Sequence, residues 1–253
     1  MSSLKEFSGL TAVVTGGRSG LGLAIARELA LRGASTWVLD LDDSPVEAPL
    51  KVARCDVRSD LEVREAIDFI VEAEGRIDVV VANAGVGAQG TIEDNDDSEW
   101  RNVSEINVFG AARVARASMR HLRNSAVGSL TFTTSIAGTI GLQDRALYSA
   151  TKGALEALTR AIAADSVAMG VRVNAVAPGT ADTPWIGRLL DSASDPAAER
   201  SALERRQPTG RLVKPQEVAD AVAYLASPRS GSTTGVTLHV DGGLHSVRTR
   251  PGV

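Results

Sequence analysis

The sequence predicts one α/β domain, a parallel sheet of about seven strands with helices on both faces. Three observations predict it. Short apolar runs alternate with longer stretches of helical periodicity. The runs are nearly continuous rather than alternating, as in strands buried on both faces between two helical layers. No linker, low-complexity tract or internal repeat divides the 253 residues, a length that one large domain can use.

The elements follow in order. "TAVVT" (11 to 15) reads as a strand that ends in glycines, and 20 to 33 has helical spacing with Gly33 as a C-cap. Strands are expected at 36 to 40 and 52 to 57, with a helix from about 60 to 74. A fourth strand at 77 to 85 precedes a long helical region from about 99 to 123. A fifth strand (128 to 138), a helix (147 to 168) and a sixth strand (171 to 178) come next. A helix from 215 to 226 and a strand from 235 to 243 close the pattern. Right-handed crossovers then give a doubly wound, Rossmann-like sheet. Residues 180 to 214 are too long for an ordinary connection and read as a substrate lid over the carboxyl edge. Residues 244 to 253 form a tail, read as fraying or as reaching a neighbour's active site.

Composition narrows the function. Hydrophobic residues make up 43%, enough for a sizeable core, and a net charge of -4 offers no basic footprint for nucleic acid. The 4% aromatic content argues against a base-stacking platform. The single cysteine, Cys55, allows no internal disulfide and reads as a small buried residue. His121, His239 and His245 are far apart in sequence, without metal-ligand spacing. "MSSLKEFSGL" lacks the apolar core of a signal peptide, and no run approaches a membrane span. A soluble cytoplasmic protein is expected, with neither nucleic acid nor membrane as partner.

"TGGRSGLG" (15 to 22) joins the first strand to the first helix. Gly16 permits a tight turn, Gly20 a close approach to a pyrophosphate, and Gly22 helix–strand packing. The helix N-terminus offers free N–H groups to phosphates. Asp40 ends the second strand, where an acid bonds the adenosine ribose and repels a 2′-phosphate. With Asp42 and Asp43 beside it, NAD is favoured over NADP, although Arg18 could contact a phosphate. Asp56 is placed to meet adenine. In "NAG" (83 to 85) Asn83 can fix a loop beside the cofactor. Either residue could instead be a turn-former at a strand end.

"TGGRSGLG", "NAG", Ser135, "YSATK" (148 to 152) and "PGTADT" (178 to 183) occur in order and spacing that resemble the short-chain dehydrogenase/reductase family in its short single-domain form. The resemblance runs from about residue 8 to 243. It implies an NAD(P)-dependent alcohol dehydrogenase or ketone reductase, commonly a homotetramer. It extends the cofactor contacts to Ser19, Leu21, Val57, Ala84, Gly85, Pro178, Gly179, Thr180 and Thr183, with Asp182 competing for the place of Thr183. Tyr148 and Lys152, at i and i+4, share a helix face. By resemblance Tyr148 is the acid–base group, Lys152 lowers its pKa and holds the nicotinamide ribose, Ser135 steadies the substrate oxygen, and Asn107 carries a water that links Lys152 to solvent. Bringing a phenol from about 10 to pH 7 to 8 asks for about 3 to 4 kcal/mol. One ammonium at about 4 Å supplies on the order of 4 kcal/mol at an effective dielectric of about 20, before desolvation.

Two branches of the family fit poorly. Enoyl reductases space Tyr and Lys more widely, and sugar-nucleotide epimerases are longer. The substrate is expected to be a small alcohol or ketone, such as a sugar or sugar acid. Hydroxysteroid dehydrogenation and 3-oxoacyl-carrier reduction are alternatives, and a catalytically silent NAD-binding regulator is the alternative from another class. Trp185, Ile186, Leu189 and Leu190 offer an apolar patch on the lid beside Arg188. Gln143 and Arg145 sit near the expected pocket mouth. The arginines could hold a carboxylate or be solvated surface charges.

Overall fold

The computed structural model describes residues 5–191, 193 and 195–248. Seven parallel strands form one sheet in the order β3-β2-β1-β4-β5-β6-β7. They are β1 (Thr11–Thr15), β2 (Ser35–Asp40), β3 (Lys51–Arg54), β4 (Val79–Ala82), β5 (Ser129–Thr133), β6 (Arg172–Pro178) and β7 (Thr237–Val240). Helices α1 (Gly20–Leu31) and α2 (Asp60–Glu74) precede β4. Then come α3 (Asp97–Ser104), α4 (Ala111–Arg123), α5 (Ala146–Ser166), α6 (Pro184–Asp191), α7 (Pro196–Arg206) and α8 (Pro215–Ala226).

Side chains on β1 show how the layers divide. Val13 points into a cluster with Ile67, Ile70, Val114, Phe132 and Leu155, from α2, α4, β5 and α5. Ala12 and Val14 point the other way, toward Ile25, Leu29, Val218 and Val222 of α1 and α8. That two-residue alternation makes a central strand apolar on both faces. The edges depart from the expectation: β3 is half-buried to exposed and β7 half-buried throughout. The fourth, fifth and seventh strands are shorter than the apolar runs suggested. The ladder runs only where neighbours pair, as in Ala12↔Val79 to Val14↔Val81. The next residues leave the sheet to build loops at its carboxyl edge.

The expected helix from 99 to 123 is three pieces. Between α3 and α4 lies a π-helical segment, Glu105–Gly110. Such wide turns are frequent at functional sites, and this one carries Asn107. Residues 180 to 214, expected as a lid, hold α6 and α7, clasped by a small core of Ile186, Leu190, Leu203 and Leu212. Ile186 and Leu190 are therefore turned inward, which leaves Trp185 and Leu189 of the expected apolar patch for the pocket. Residues 244 to 248 are pinned rather than frayed. Val247 N–H donates to the Gly243 carbonyl at 2.8 Å, and His245 Nδ1 meets Asp241 Oδ2 at 2.9 Å. The remainder of the tail, 249 to 253, lies outside the described residues. Cys55 is buried, its thiol pushed up to about 12 chiefly by loss of water. No described helix is long and apolar enough to cross a membrane.

Candidate active site

The sheet order reverses between β1 and β4, and the loops at their carboxyl ends meet there. Gly16 (φ 63°) and Gly20 (φ 53°) take left-handed backbone, which side chains disfavour. A Cβ on Gly22 would lie 2.1 Å from the Gly16 carbonyl oxygen and 2.5 Å from Asn83 Nδ2. Gly22 is thus needed for the turn to fold against the "NAG" loop. The strand contact expected of it falls to Gly17, whose Cβ would meet Val38 Cγ1 at 2.9 Å. Asn83 Nδ2 donates to the carbonyls of Thr15 (3.0 Å) and Gly16 (3.2 Å). Thr15 Oγ1 accepts from the N–H groups of Asn83 and Ala84. Ser19 caps α1 without a side-chain hydrogen bond, and the first turn carries no acid. The N–H groups there stay open toward an anion, which fits a dinucleotide pyrophosphate. Leu21 follows on α1, half-buried against the apolar cluster on that face of the sheet.

Asp40 accepts from the N–H of Arg18 (3.2 Å) and of Leu41 (2.9 Å), so its carboxylate sits at the lip of the turn. The Arg18 guanidinium is not free: it pairs with Asp42 at 3.2 Å and donates to the Ser44 carbonyl. The Asp56 carboxylate is held by Arg58, Nη2 to Oδ2 at 2.7 Å, and lies below the ordinary carboxylate range for that reason. An adenine amine there would share this acceptor with Arg58. Val57 is buried against Gly110, at the junction of the π-helical segment and α4.

Ser135, Tyr148 and Lys152 converge on the same edge. Ser135 follows β5 and accepts from the Ala137 N–H at 3.2 Å. Tyr148 and Lys152 lie on α5. Lys152 Nζ sits 5.6 Å from the centroid of the Tyr148 ring. It is 4% exposed and donates to the Thr133 carbonyl at 2.9 Å. A Cβ on Gly85 would lie 3.4 Å from Lys152 Nζ and 3.1 Å from Asn107 Oδ1, so "NAG" reaches the same point. Asn107 is fully buried. Its amide accepts from the Val86 N–H (2.8 Å) and donates to the Val86 carbonyl (2.9 Å) and Thr151 Oγ1 (3.1 Å), tying the loop after β4, the π-helical segment and α5 together.

The electrostatics depart from the expectation that one lysine makes the phenol a base. Burial raises the Tyr148 pKa, and the lowering influences are hydrogen bonding from Ser135 and the charge of Arg145. Burial also lowers Lys152, from 10.5 to about 8, because its ammonium has left water. In this structure Tyr148 therefore holds its proton at neutral pH.

Gly87, Ala88, Gln89, Trp185 and Leu189 line a cavity of about 260 Å³. A Cβ on Gly20 would meet Thr183 at 3.7 Å, which brings the lid's first residues over the glycine turn. Asp182 is turned away, in an ion pair with Arg200 of α7 at 3.0 Å. Pro178 ends β6, and Gly179 packs against Gln207 and Asp241. The Thr180 carbonyl accepts from the Val213 N–H. Gln143 is exposed and Arg145 half-buried, just ahead of α5. The Arg188 side chain lies outside the described residues. Thr15, Gly17 and Gln207 escaped sequence reasoning. The role of Thr133 belongs to its backbone carbonyl and leaves no trace in residue type.

A doubly wound parallel sheet with a glycine turn at its switch point and a Ser–Tyr–Lys cluster on the same edge defines a dinucleotide-dependent oxidoreductase. A family model described as "Enoyl-(Acyl carrier protein) reductase" matches residues 16–245. A cis-4-hydroxycyclohexanecarboxylate dehydrogenase of Sinomonas cyclohexanicum is 39% identical, with 96% of this chain and 99% of that protein covered. A 2-keto-3-deoxy-L-fuconate dehydrogenase of Xanthomonas campestris is 36% identical, with 94% and 81% covered. The aldohexose dehydrogenase structure from Thermoplasma acidophilum superposes with a TM-score of 0.92 at 32% identity, with 98% and 99% covered. The chain belongs to the short-chain dehydrogenase/reductase family. It is an oxidoreductase acting on an alcohol or ketone, and its relatives use NAD(P).

Proposed function

We propose that this enzyme oxidises a secondary alcohol on a small polyhydroxylated or hydroxy-acid substrate, such as a sugar or sugar acid, with NAD rather than NADP. The observation that carries the reading is the convergence of Ser135, Tyr148 and Lys152 beside a glycine turn whose lip holds the Asp40 carboxylate. NAD supplies the hydride acceptor. Ser135 would donate to the substrate oxygen, and Tyr148, as the phenolate that the positive nicotinamide of bound NAD⁺ would favour, would take the alcohol proton as the carbinol carbon loses its hydride. Lys152 holds the nicotinamide ribose and steadies the phenolate, with Asn107 anchoring the water that connects it to solvent. Asp40, Asp42 and Asp43 disfavour a 2′-phosphate, and the pairing of Arg18 with Asp42 removes the base that would welcome one. The named activities of the relatives, on a hydroxy acid, a deoxy-sugar acid and an aldohexose, support the substrate class. A cytoplasmic homotetramer is the expected form.

The test combines NADH titration by fluorescence with NAD⁺ reduction across sugars, sugar acids, polyols and steroids. Tyr148→Phe is expected to bind NADH and lose turnover. Absence of NADH binding would leave only a scaffold. Binding without turnover on any alcohol would indicate a silent regulator, and turnover on steroids alone would overturn the substrate class.

A further inference from the structure

Arg145 stands out among the arginines. A buried or half-buried guanidinium ordinarily meets a carboxylate or a set of carbonyls, because an uncompensated charge out of water is costly. Half-buried Arg18, Arg32, Arg113 and Arg200 each pair with a carboxylate. Buried Arg172 donates to the carbonyls of Leu225, Ala226 and Ser227. Arg145 donates only to the carbonyl of its own neighbour, Asp144, at 2.7 Å. Among the described residues no carboxylate lies within ion-pair distance of it.

Its position is as telling as its lack of a partner. Arg145 pairs with Gly90 in an isolated parallel bridge, the Gly90 N–H donating to the Asp144 carbonyl at 3.0 Å. Gly90 follows Gln89, which lines the cavity. Arg145 stands three residues before Tyr148, and its charge favours the phenolate there. It also feels the like charge of Arg206, in the last turn of α7. Arg206 also lacks a carboxylate within ion-pair distance among the described residues. Burial and this like charge, in that order, hold Arg145 below the ordinary guanidinium range, against weaker opposing effects of Asp144, Tyr148 and Glu199. A half-buried guanidinium without a carboxylate, at the bridge with Gly90 and three residues before Tyr148, suits an anion, and Arg206 supplies a second unpaired positive charge from α7.

We propose that Arg145 and Arg206 together bind a carboxylate on the substrate, with the carbinol carbon presented to Tyr148 and the carbon skeleton against Trp185 and Leu189. A carboxylate matches the planar donor fork of arginine with two oxygens. Its binding would remove the repulsion between the two side chains and draw the lid onto the pocket. The preferred substrate is therefore a hydroxy acid, in preference to a neutral sugar or polyol of similar size. This rests on the reaction proposed above, whose own test is NADH binding and turnover on any secondary alcohol.

The experiment compares cis-4-hydroxycyclohexanecarboxylate with its uncharged carboxamide as substrates, in the wild-type enzyme, Arg145→Gln and Arg206→Gln. The wild type is expected to favour the acid in kcat/KM, mostly through KM. Each substitution should lower that acid-to-amide ratio about 10- to 100-fold, the usual worth of a hydrogen bond to a charged group. Cyclohexanecarboxylate, which has no alcohol to oxidise, should compete with the acid substrate in the wild type and at least about 10-fold more weakly in either variant. Arg206 is exposed at a helix end, so Arg206→Gln keeps the test usable if Arg145→Gln fails to fold. Equal turnover of acid and amide by the wild type overturns the proposal, as does a ratio unchanged in Arg206→Gln. Oxidation of neutral alcohols with no preference for the acid would sink the carboxylate site alone and leave the proposed reaction standing.

Discussion

Replacing Lys152 with methionine separates stability from catalysis and gives a pH dependence of known sign. Lys152 Nζ is almost wholly out of water, and its one hydrogen bond in the structure goes to the Thr133 carbonyl. Burial brings its pKa from 10.5 to about 8. That gap is a penalty of about 3 kcal/mol on the charged form of the folded protein at neutral pH. Lys152→Met removes the penalty but leaves the Thr133 carbonyl without its donor, at a cost of about 1 to 2 kcal/mol. At pH 7 the variant is expected to be more stable by on the order of 1 to 2 kcal/mol, a rise of a few degrees in Tm. Between pH 8 and 10.5 the unfolded chain holds the lysine proton more tightly than the folded one. Wild-type stability therefore rises relative to the variant across that window. From pH 7 to 9.5 the difference should close by about 2 kcal/mol. Urea unfolding followed by tryptophan fluorescence at both pH values, at one protein concentration, measures this. NAD⁺ reduction by the variant should be lost throughout. Stability differences that stay parallel from pH 7 to 9.5 would refute the reasoning, because the ammonium would then cost nothing to bury.

Three further outcomes follow from the site. Gly22→Ala puts a methyl carbon 2.1 Å from the Gly16 carbonyl oxygen; overpacking of about 1 to 3 kcal/mol should distort the turn and weaken NADH binding by at least about 10-fold, read by fluorescence titration. Asp40→Ala removes the carboxylate at the lip of the turn; the NAD-to-NADP ratio of kcat/KM should fall about 10- to 100-fold, as expected for a charged hydrogen-bond acceptor. Leu203→Ala opens a cavity in the small core beneath α6 and α7; a cost of about 2 to 4 kcal/mol, concentrated in the lid, should raise the substrate KM while the NADH Kd stays within about twofold.

Much of this architecture is legible in residue order. The apolar runs mark all seven strands, and the helix at Pro215–Ala226 has the bounds its periodicity suggests. The glycine spacing, Asp40 and the four-residue step from Tyr148 to Lys152 all announce the site. The break in the helix around Asn107 is not legible. "INVFG" carries ordinary helical periodicity, and the wide turn accompanies three hydrogen bonds to residues 21 and 44 positions away. The lid's apolar residues show the same limit. Ile186 and Leu190 look equivalent to Trp185 and Leu189 until Leu203 and Leu212 claim them.

The sequence by itself determined the class of fold and marked the candidate dinucleotide turn and the candidate reacting side chains, because these depend on local periodicity and on short-range spacing. The tertiary structure alone decided how those groups are charged and who their neighbours are. Desolvation of Tyr148 and Lys152, the pairing of Arg18 with Asp42, and the burial of Arg145 without a carboxylate partner arise from segments distant in the chain or from exclusion of water. Both are properties of packed space, which a linear pattern does not encode.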